Sequence, residues 1–437
     1  MFALKQQYNS TRQELSYALY AQDAATRVIA RIIKERDAAR EYVPSSLFFF
    51  FRLRSTYITF RALANVQATM GVAPTGDSTE DVSMTADEAL PKALVDQINA
   101  TFESLSAIRK KRKTPAGYAT LSDIKSFTSQ RSIPSLHASS PAGITALAVS
   151  RQDPARFLTG GNDKVVQLYD RNTDKVIASL KGHTKKITHV ALREHTGHPT
   201  LLLSAGADKI AKIWTHDSNA DAYMPASTIR VHKGELTGLA VHPISTLVAY
   251  ASLDKTYSLH DLTTMESVFR SEPGEDAFTA LGVHPDGTLL AVGTAGSAIH
   301  IYDTRTGMIA ASFSGVEEGD GAKPFAVNTV SFSENGYYLL APGAPTGAVA
   351  VWDLRKQKTA RTLNVGSSFK VNRVLCDLGA VMYGVAGSEG IRVYSSKWEE
   401  LLKLDQAGDV SDMAFGLHGK EIWATAGREV KIWGLPE

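Results

Sequence analysis

The chain has 437 residues, 43% hydrophobic and 21% charged, with a formal net charge of +2. Those proportions belong to a folded globular protein, and so small a net charge creates no global field toward nucleic acid or membrane. A single cysteine, Cys376, excludes a disulfide framework, a cysteine zinc site and an iron–sulfur cluster, and points to an intracellular protein. Charge is uneven along the chain: residues 1–140 hold 18 Lys and Arg against 13 Asp and Glu, the remainder 29 against 32.

The first 40 residues contain neither proline nor glycine and read as one helix. Alternate steps of four and three residues place Leu4, Tyr8, Leu15, Ala18, Ala25, Ile29 and Ile32 on one seam, interrupted by Thr11, Gln22 and Arg36. An apolar stripe with nothing nearby in sequence to cover it predicts a coiled coil that forms a homo-oligomer or recruits a helical partner; docking onto the rest of the chain is the alternative. Tyr42–Arg61 then breaks the pattern, with Pro44, four consecutive phenylalanines from Phe48 to Phe51, and Arg52 and Arg54. It is far short of the about 20 apolar residues a membrane span needs, and the N-terminus has no signal-peptide pattern, so neither membrane insertion nor secretion is expected. If those 20 residues are removed, Leu63, Val66 and Met70 fall on the next seam positions after Ala39. The segment reads as a translated, unspliced intron: Glu41–Tyr42–Val43 can be encoded GAG TAT GTN, which contains GTATGT. The phenylalanine run can be a pyrimidine tract, and Phe60–Arg61 can be TTC AGG, ending in AG before a G. Residues 1–70 are thus expected to form a coiled coil with an anomalous insert at 42–61.

Residues 71–89 form a polar linker with Pro74, Gly76 and several acids. A second amphipathic helix follows over 90–113, through Leu94, Val95, Ile98, Phe102 and Leu105, and ends in Arg109, Lys110, Lys111, Arg112 and Lys113. A solvated helix end would be served by fewer cations, so five in succession mark a candidate nuclear localisation signal or nucleic-acid contact. A second linker covers 114–130.

From residue 131 the chain repeats. Tyr169–Asp170, Trp214–Thr215, His260–Asp261, Tyr302–Asp303, Trp352–Asp353, Tyr394–Ser395 and Trp433–Gly434 each close a short β-branched run, at intervals of 39 to 50 residues. Alternating runs that end in small residues precede them, and turn pieces such as Asn162–Asp163 and Pro285–Asp286–Gly287 separate the runs. This organisation resembles the WD-repeat family, which implies an all-β seven-bladed propeller over 131–437. After Trp433 too few residues remain for a fourth strand in the last blade. That strand must come from before Gly143, around Arg131–Leu136, clasping the ring and removing its open edges.

Gly182–His183, Ser204, Asp208 and Trp214 match the family's motif most fully. The resemblance implies that His183, Ser204, Asp208 and Trp214 hydrogen-bond in series as a structural tetrad. Asp163 and Asp254 also lie six residues before the residue closing their repeat, whereas the last four repeats lack that Asp. A His–Ser–Asp set can suggest a hydrolase triad, but this spacing matches the structural motif and no nucleophile-elbow glycines flank the serine, so no catalytic residue is assigned. His195 and His198 lie in a turn with no third ligand in local sequence, and neither a metal nor a cofactor is expected.

The order of coiled coil, polar linker, basic-ended helix and seven-bladed propeller resembles the pre-mRNA-processing factor 19 family. The phrases that carry the resemblance are Ser10–Thr11–Arg12–Gln13–Glu14–Leu15–Ser16, Asp23–Ala24–Ala25–Thr26–Arg27–Val28–Ile29–Ala30–Arg31, Leu180–Lys181–Gly182–His183–Thr184–Lys185–Lys186, Phe332–Ser333–Glu334–Asn335–Gly336–Tyr337–Tyr338–Leu339 and Trp352–Asp353–Leu354–Arg355–Lys356. It implies a nuclear scaffold that tetramerises through its coiled coil, joins spliceosomal complex subunits, acts in the DNA-damage response and binds substrates through its propeller. Members are also ubiquitin-protein ligases through an N-terminal U-box, which recruits a ubiquitin-conjugating enzyme without metal. Met1 here begins almost at the coiled coil, which reads either as a gene model truncated at its 5′ end or as a ligase-dead form, so the ligase assignment and that partner apply only if a U-box is restored upstream. Two further classes stay open: a substrate receptor for another ubiquitin ligase, or a signalling scaffold unrelated to splicing.

Overall fold

Short runs of β-branched and small residues pair, each with its neighbour in sequence, into seven four-stranded antiparallel sheets. The computed structural model describes residues 90–110, 114–134, 136–195, 197–314 and 324–436. The coiled-coil seam from Leu4 to Ile32, the segment Tyr42–Arg61 and the linker 71–89 lie outside the described residues. Blades 1 to 6 occupy residues 144–180, 187–229, 236–270, 278–314, 331–364 and 371–404. Blade 7 takes three strands from 410–434 and its outermost from Thr128–Ile133, which pairs antiparallel with Glu429–Gly434. The fold is thus a seven-bladed β-propeller, closed by a strand from the far end of the propeller sequence.

Within each blade the strands run a, b, c, d from inside to outside. The b strands, such as Leu201–Gly206, Leu247–Ser252, Leu289–Thr294 and Met382–Gly387, are buried along their whole length. Strands covered on both faces read as continuous apolar and small runs rather than strict alternation. Core clusters therefore span neighbouring blades: Phe157 and Tyr169 of blade 1 pack with Trp423 and Ile432 of blade 7. Leu158 and Val166 of blade 1 pack with Ile187 and Trp214 of blade 2.

One register irregularity recurs. In blades 1, 2, 3, 4, 6 and 7 the pairing of strand a with strand b skips one residue near its start: Thr145, Thr188, Thr237, Thr279, Asn372 and Ser411. A bulged residue leaves the ladder, and its side chain is re-aimed. Thr145 Oγ1 donates to Ile187 O of the next blade at 2.6 Å, and Thr237 and Thr279 donate to Phe278 O and Val327 O, each at 2.7 Å. Asn328 and Asn372 donate through Nδ2 to Val371 O and Val410 O, each at 2.9 Å. Across the closing junction the Ile144 and Leu147 amides donate to Gly427 O at 2.7 Å and to Asp412 Oδ2 at 2.9 Å.

Two helices precede the ring. Helix α1 is Lys92–Lys110, and the one-turn α2, Leu121–Lys125, starts with a reciprocal cap between Thr120 and Asp123. Ile124 of α2 and Phe127 join the core of blades 6 and 7, so the stretch 114–130 contains a packed element just ahead of the closing strand. Among the described residues no helix is long and apolar enough to cross a membrane.

Ile133, on the closing strand, is 4% exposed. I133D would bury an unpaired carboxylate at the clasp, a class of change that costs about 3–5 kcal/mol. Thermal unfolding should shift down by many degrees, and size-exclusion chromatography should show association through freed strand edges.

Candidate functional site

The loops joining strand d to the next strand a, and the turns joining b to c, meet on one face of the ring; a–b and c–d turns lie on the other. On the first face blade 2 carries the tetrad. His183 Nδ1 lies 3.0 Å from Asp208 Oδ2, its Nε2 lies 2.9 Å from Ser204 Oγ, and Trp214 Nε1 donates to that hydroxyl at 3.3 Å. The Thr184 amide donates to Asp208 Oδ2 at 2.8 Å. Ser204 is fully buried and both ring nitrogens of His183 are occupied, so a substrate cannot reach this serine. The set bolts the d–a loop to the b–c turn.

Two related sets were missed by sequence reasoning. In blade 1, His137 lies between Asp163 (Nδ1 to Oδ1, 2.9 Å) and Thr159 (Nε2 to Oγ1, 3.0 Å). In blade 3, His232 lies 3.1 Å from Asp254 and 2.8 Å from Ser258 Oγ, which also lies 2.8 Å from His260 Nε2. The hydroxyl here comes from strand c instead of strand b, where Tyr250 occupies the equivalent place. The signal available was a histidine 22 to 26 residues before each turn aspartate; neither His137 nor His232 has the glycine that precedes His183. His195 and His198 face one another with ring centroids 5.2 Å apart, and among the described residues no group of three acidic, His or Cys side chains is placed to hold a metal.

Burial presses the His137 and His183 imidazoles below their ordinary value, against the pull of their aspartates. His242 and His260, almost wholly enclosed, are pushed down to about 4 and about 3. Burial also opposes ionisation of Asp254. Hydrogen bonds from His232, Thr256 and the Lys233 amide outweigh it, however, and hold the carboxyl well below the usual range. In both cases the unfolded chain binds more protons than the folded one. The contribution of these groups to stability is therefore full above the ordinary histidine pKa of about 6.5 and falls as pH drops below it, with Asp254 adding its loss below about 4.

The opposite face carries α1. Leu90, Leu94 and Ile98, four residues apart and so on one side of the chain's path, join one buried cluster with Leu247, Tyr257 and Leu290 of blades 3 and 4. Arg305 of blade 4 donates to Asn99 Oδ1 at 3.0 Å. At the helix end Arg109 Nη2 lies 2.9 Å from Asp286 Oδ2 in the a–b turn of blade 4. That carboxylate is also bonded by His284, whose Nε2 lies 3.1 Å from Gly336 O of blade 5. Desolvation raises the Asp286 pKa, but His284 and Arg109 together overcome it and keep the group ionised. The chain then reaches blade 6, where the Tyr118 hydroxyl donates to Asp377 Oδ2 at 2.5 Å, and blade 7, where the Ala119 amide donates to His418 O at 3.0 Å.

Arg109, the first cation of the candidate localisation run, is held against the propeller by a buried carboxylate, its side chain 17% exposed. The Lys110 side chain and Lys111, Arg112 and Lys113 lie outside the described residues. The docked helix itself was not foreseen; the local sequence gives its apolar stripe but not its partner.

The comparisons with known proteins now apply. The family model described as Prp19/Pso4-like matches residues 1–45, and the model of the WD domain, G-beta repeat, matches residues 174–215. The chain is similar to pre-mRNA-processing factor 19 of Mus musculus, 33% identical over 444 residues that cover 99% of this chain and 82% of that protein. It is 31% identical to pre-mRNA-processing factor 19 homolog 2 of Arabidopsis thaliana over 449 residues, covering all of this chain and 81% of the relative. The chain belongs to the pre-mRNA-processing factor 19 family. A 29% identical Dictyostelium discoideum member aligns over 408 residues, 91% of this chain and 74% of its own length. Membership therefore spans the propeller, α1 and the N-terminal region together.

Two outcomes are expected from these sites. H183Q should lower the melting temperature at pH 7.5, by the equivalent of about 1–2 kcal/mol. It should also reduce the further fall between pH 7.5 and pH 5.5 relative to the parent, because one imidazole held neutral has been removed. For the docked helix, Ile98 is fully buried, so I98D should raise amide hydrogen exchange over residues 92–110 by at least about tenfold while leaving the inner strands protected.

Proposed function

We propose that this protein is a nuclear scaffold subunit of a spliceosome-associated complex, acting in pre-mRNA splicing and in DNA repair. Its similarity over nearly the whole chain to proteins named as pre-mRNA-processing factors supports this reading. The N-terminal coiled coil, with its seam from Leu4 through Tyr8, Leu15, Ala18, Ala25 and Ile29 to Ile32, would supply homo-oligomerisation, as a tetramer by family resemblance. The propeller would supply a rigid platform for other subunits. The burial of the tetrad serine, closed off by His183 and Trp214, supports a structural role for that set. Ubiquitin-protein transfer, with a ubiquitin-conjugating enzyme as partner, belongs to this reading where a U-box accompanies the chain. The run from Arg109 to Lys113 would serve nuclear import chiefly through its residues after Arg109.

Affinity purification of the tagged protein from its own cells, followed by mass spectrometry, tests the assignment. Spliceosomal proteins should dominate the eluate, and depletion should leave introns unspliced in total RNA. An eluate dominated by cullin adaptors or signalling proteins, with splicing intact, would overturn it.

A further inference from the structure

The b–c turns of blades 1, 2 and 3 share one design. Each contains an Asp–Lys pair, Asp163–Lys164, Asp208–Lys209 and Asp254–Lys255, with the lysine in the left-handed backbone region at φ of 69°, 71° and 69°. The aspartate turns inward to its histidine and to a loop amide, while the lysine is exposed; Lys255 also donates through Nζ to Glu275 O at 2.7 Å. The d–a loops of the same half-ring add exposed Lys185, Arg230 and Lys233. Within these turns and loops the carboxylates are already engaged, the three aspartates by histidines and Glu235 by Lys186 at 3.5 Å; the exposed acids nearest the arc are those of the loop after blade 3, beside Lys255. Blades 4 to 7 lack the Asp–Lys turn, and there the same face presents exposed Glu272, Glu275, Asp276, Glu389 and Asp409. The face is therefore predominantly basic over blades 1 to 3 and predominantly acidic over blades 4 to 7, where exposed Lys370 is an exception, although the whole chain is close to neutral.

We infer that the basic half, over blades 1 to 3, is a docking surface for an acidic peptide segment of a partner protein. Lysine ammonium groups are mobile point charges that suit carboxylates arriving in varied geometry. Single-stranded nucleic acid is instead gripped by stacking its bases on aromatic side chains or arginine planes. Among the described residues the large exposed apolar side chain within the arc is Leu253, 41% exposed, and no large exposed aromatic is found there. Leu253 immediately precedes Asp254 and offers one apolar contact amid the lysines. The opposite face of blades 3, 4, 6 and 7 is taken by α1 and the segment that follows it, which leaves this face open to a partner. None of this depends on a role in splicing.

The test uses the full chain and fluorescence anisotropy with a fluorescein-labelled peptide of twelve residues, Asp and Glu around a central Leu; single-stranded RNA of twelve nucleotides is run beside it. Saturable peptide binding that weakens with added salt is expected. K164E/K209E/K233E should lower affinity by at least about tenfold, the combined effect of three exposed charge reversals. K358E/K397E/K420E, which reverses exposed lysines outside the arc, should change it by less than about twofold. The neutral variant K164N/K209N/K255N, in which asparagine tolerates the left-handed backbone, should show an intermediate loss with an unchanged melting curve. Absence of saturable peptide binding, equal losses in the arc and control variants, or RNA bound more tightly than peptide through the same lysines would each overturn the proposal.

Discussion

The ring stands on one repeated exchange: a residue near the start of strand a leaves its own ladder and spends its side chain on the neighbouring blade. Thr145, Thr237, Thr279, Asn328 and Asn372 each reach a backbone carbonyl at the start of the next inner strand. A neutral hydrogen bond adds about 1 kcal/mol net, but leaving such a buried carbonyl unpaired would forfeit more. These bonds join blade to blade, so the inner strands that receive them are completed by a neighbour, which favours closing the sheets into a circle. Blade 2 departs from this: Thr188 donates to Ala205 O within its own blade at 3.0 Å. There the link to blade 3 rests on the Leu203, Ile213 and Leu236 packing. At the last junction, backbone amides and Asp412 replace the threonine pattern. This is also where the outer strand comes from before blade 1. The closure is thus made both at the axis and at the rim.

The blades divide into two chemical groups over this common frame. Blades 1 to 3 tie loop to turn with a histidine between a carboxylate and a hydroxyl. In the others the same function passes to different chemistry. Ser297 of blade 4 accepts the Phe325 amide at 2.6 Å and donates to Phe325 O; Ser368 bonds Glu389 in blade 6; and Arg428 of blade 7 donates to His137 O at 2.8 Å. On the opposite face of blade 6 the Tyr383 and Trp398 rings stack with centroids 4.6 Å apart. The histidine design has a second consequence. By turning each carboxylate inward it withholds that charge from the adjacent lysine, so the polar bolts of three blades also set the charge of the face above them.

Much of this was legible in the sequence because repetition makes weak signals add. The closing aromatics from Tyr169 to Trp433 gave the number of blades, and the deficit after Trp433 gave the clasp. The tetrad of blade 2 was readable because Gly182–His183 and Trp214 bracket it. Those of blades 1 and 3 were not, since His137 follows Leu136 and His232 follows Val231. In blade 3 the hydroxyl has moved to the neighbouring strand, a substitution that only strand pairing reveals. The inner-strand threonines were present at equivalent places, yet a threonine in a strand is ordinary; the bulge that re-aims it has no local signature. The docked helix was least legible of all. Arg109 and Asp286 are 177 residues apart, and a basic run at a helix end is usually solvated.

That pairing changes what α1 is. An amphipathic helix with a cationic end has two elementary options in water: associate through its apolar stripe, or lie on whatever apolar surface its own chain provides. Here Leu90, Leu94 and Ile98 take the second option. Arg109 meets a carboxylate that His284 already holds and that is 3% exposed. Such an ion pair gives direction rather than much stability, because both charges lose water on forming it. The apolar contacts supply the adhesion, and the pair fixes where the helix ends. It ends at the a–b turns of blades 4 and 5, whose own junction is the His284–Gly336 bond. Gly336 must be glycine there: its φ is 72°, and a Cβ would lie 2.8 Å from His284 Nε2. A single buried carboxylate thus couples the path of α1 to the seam between two blades. Its geometry places α1 on the face away from the lysine turns.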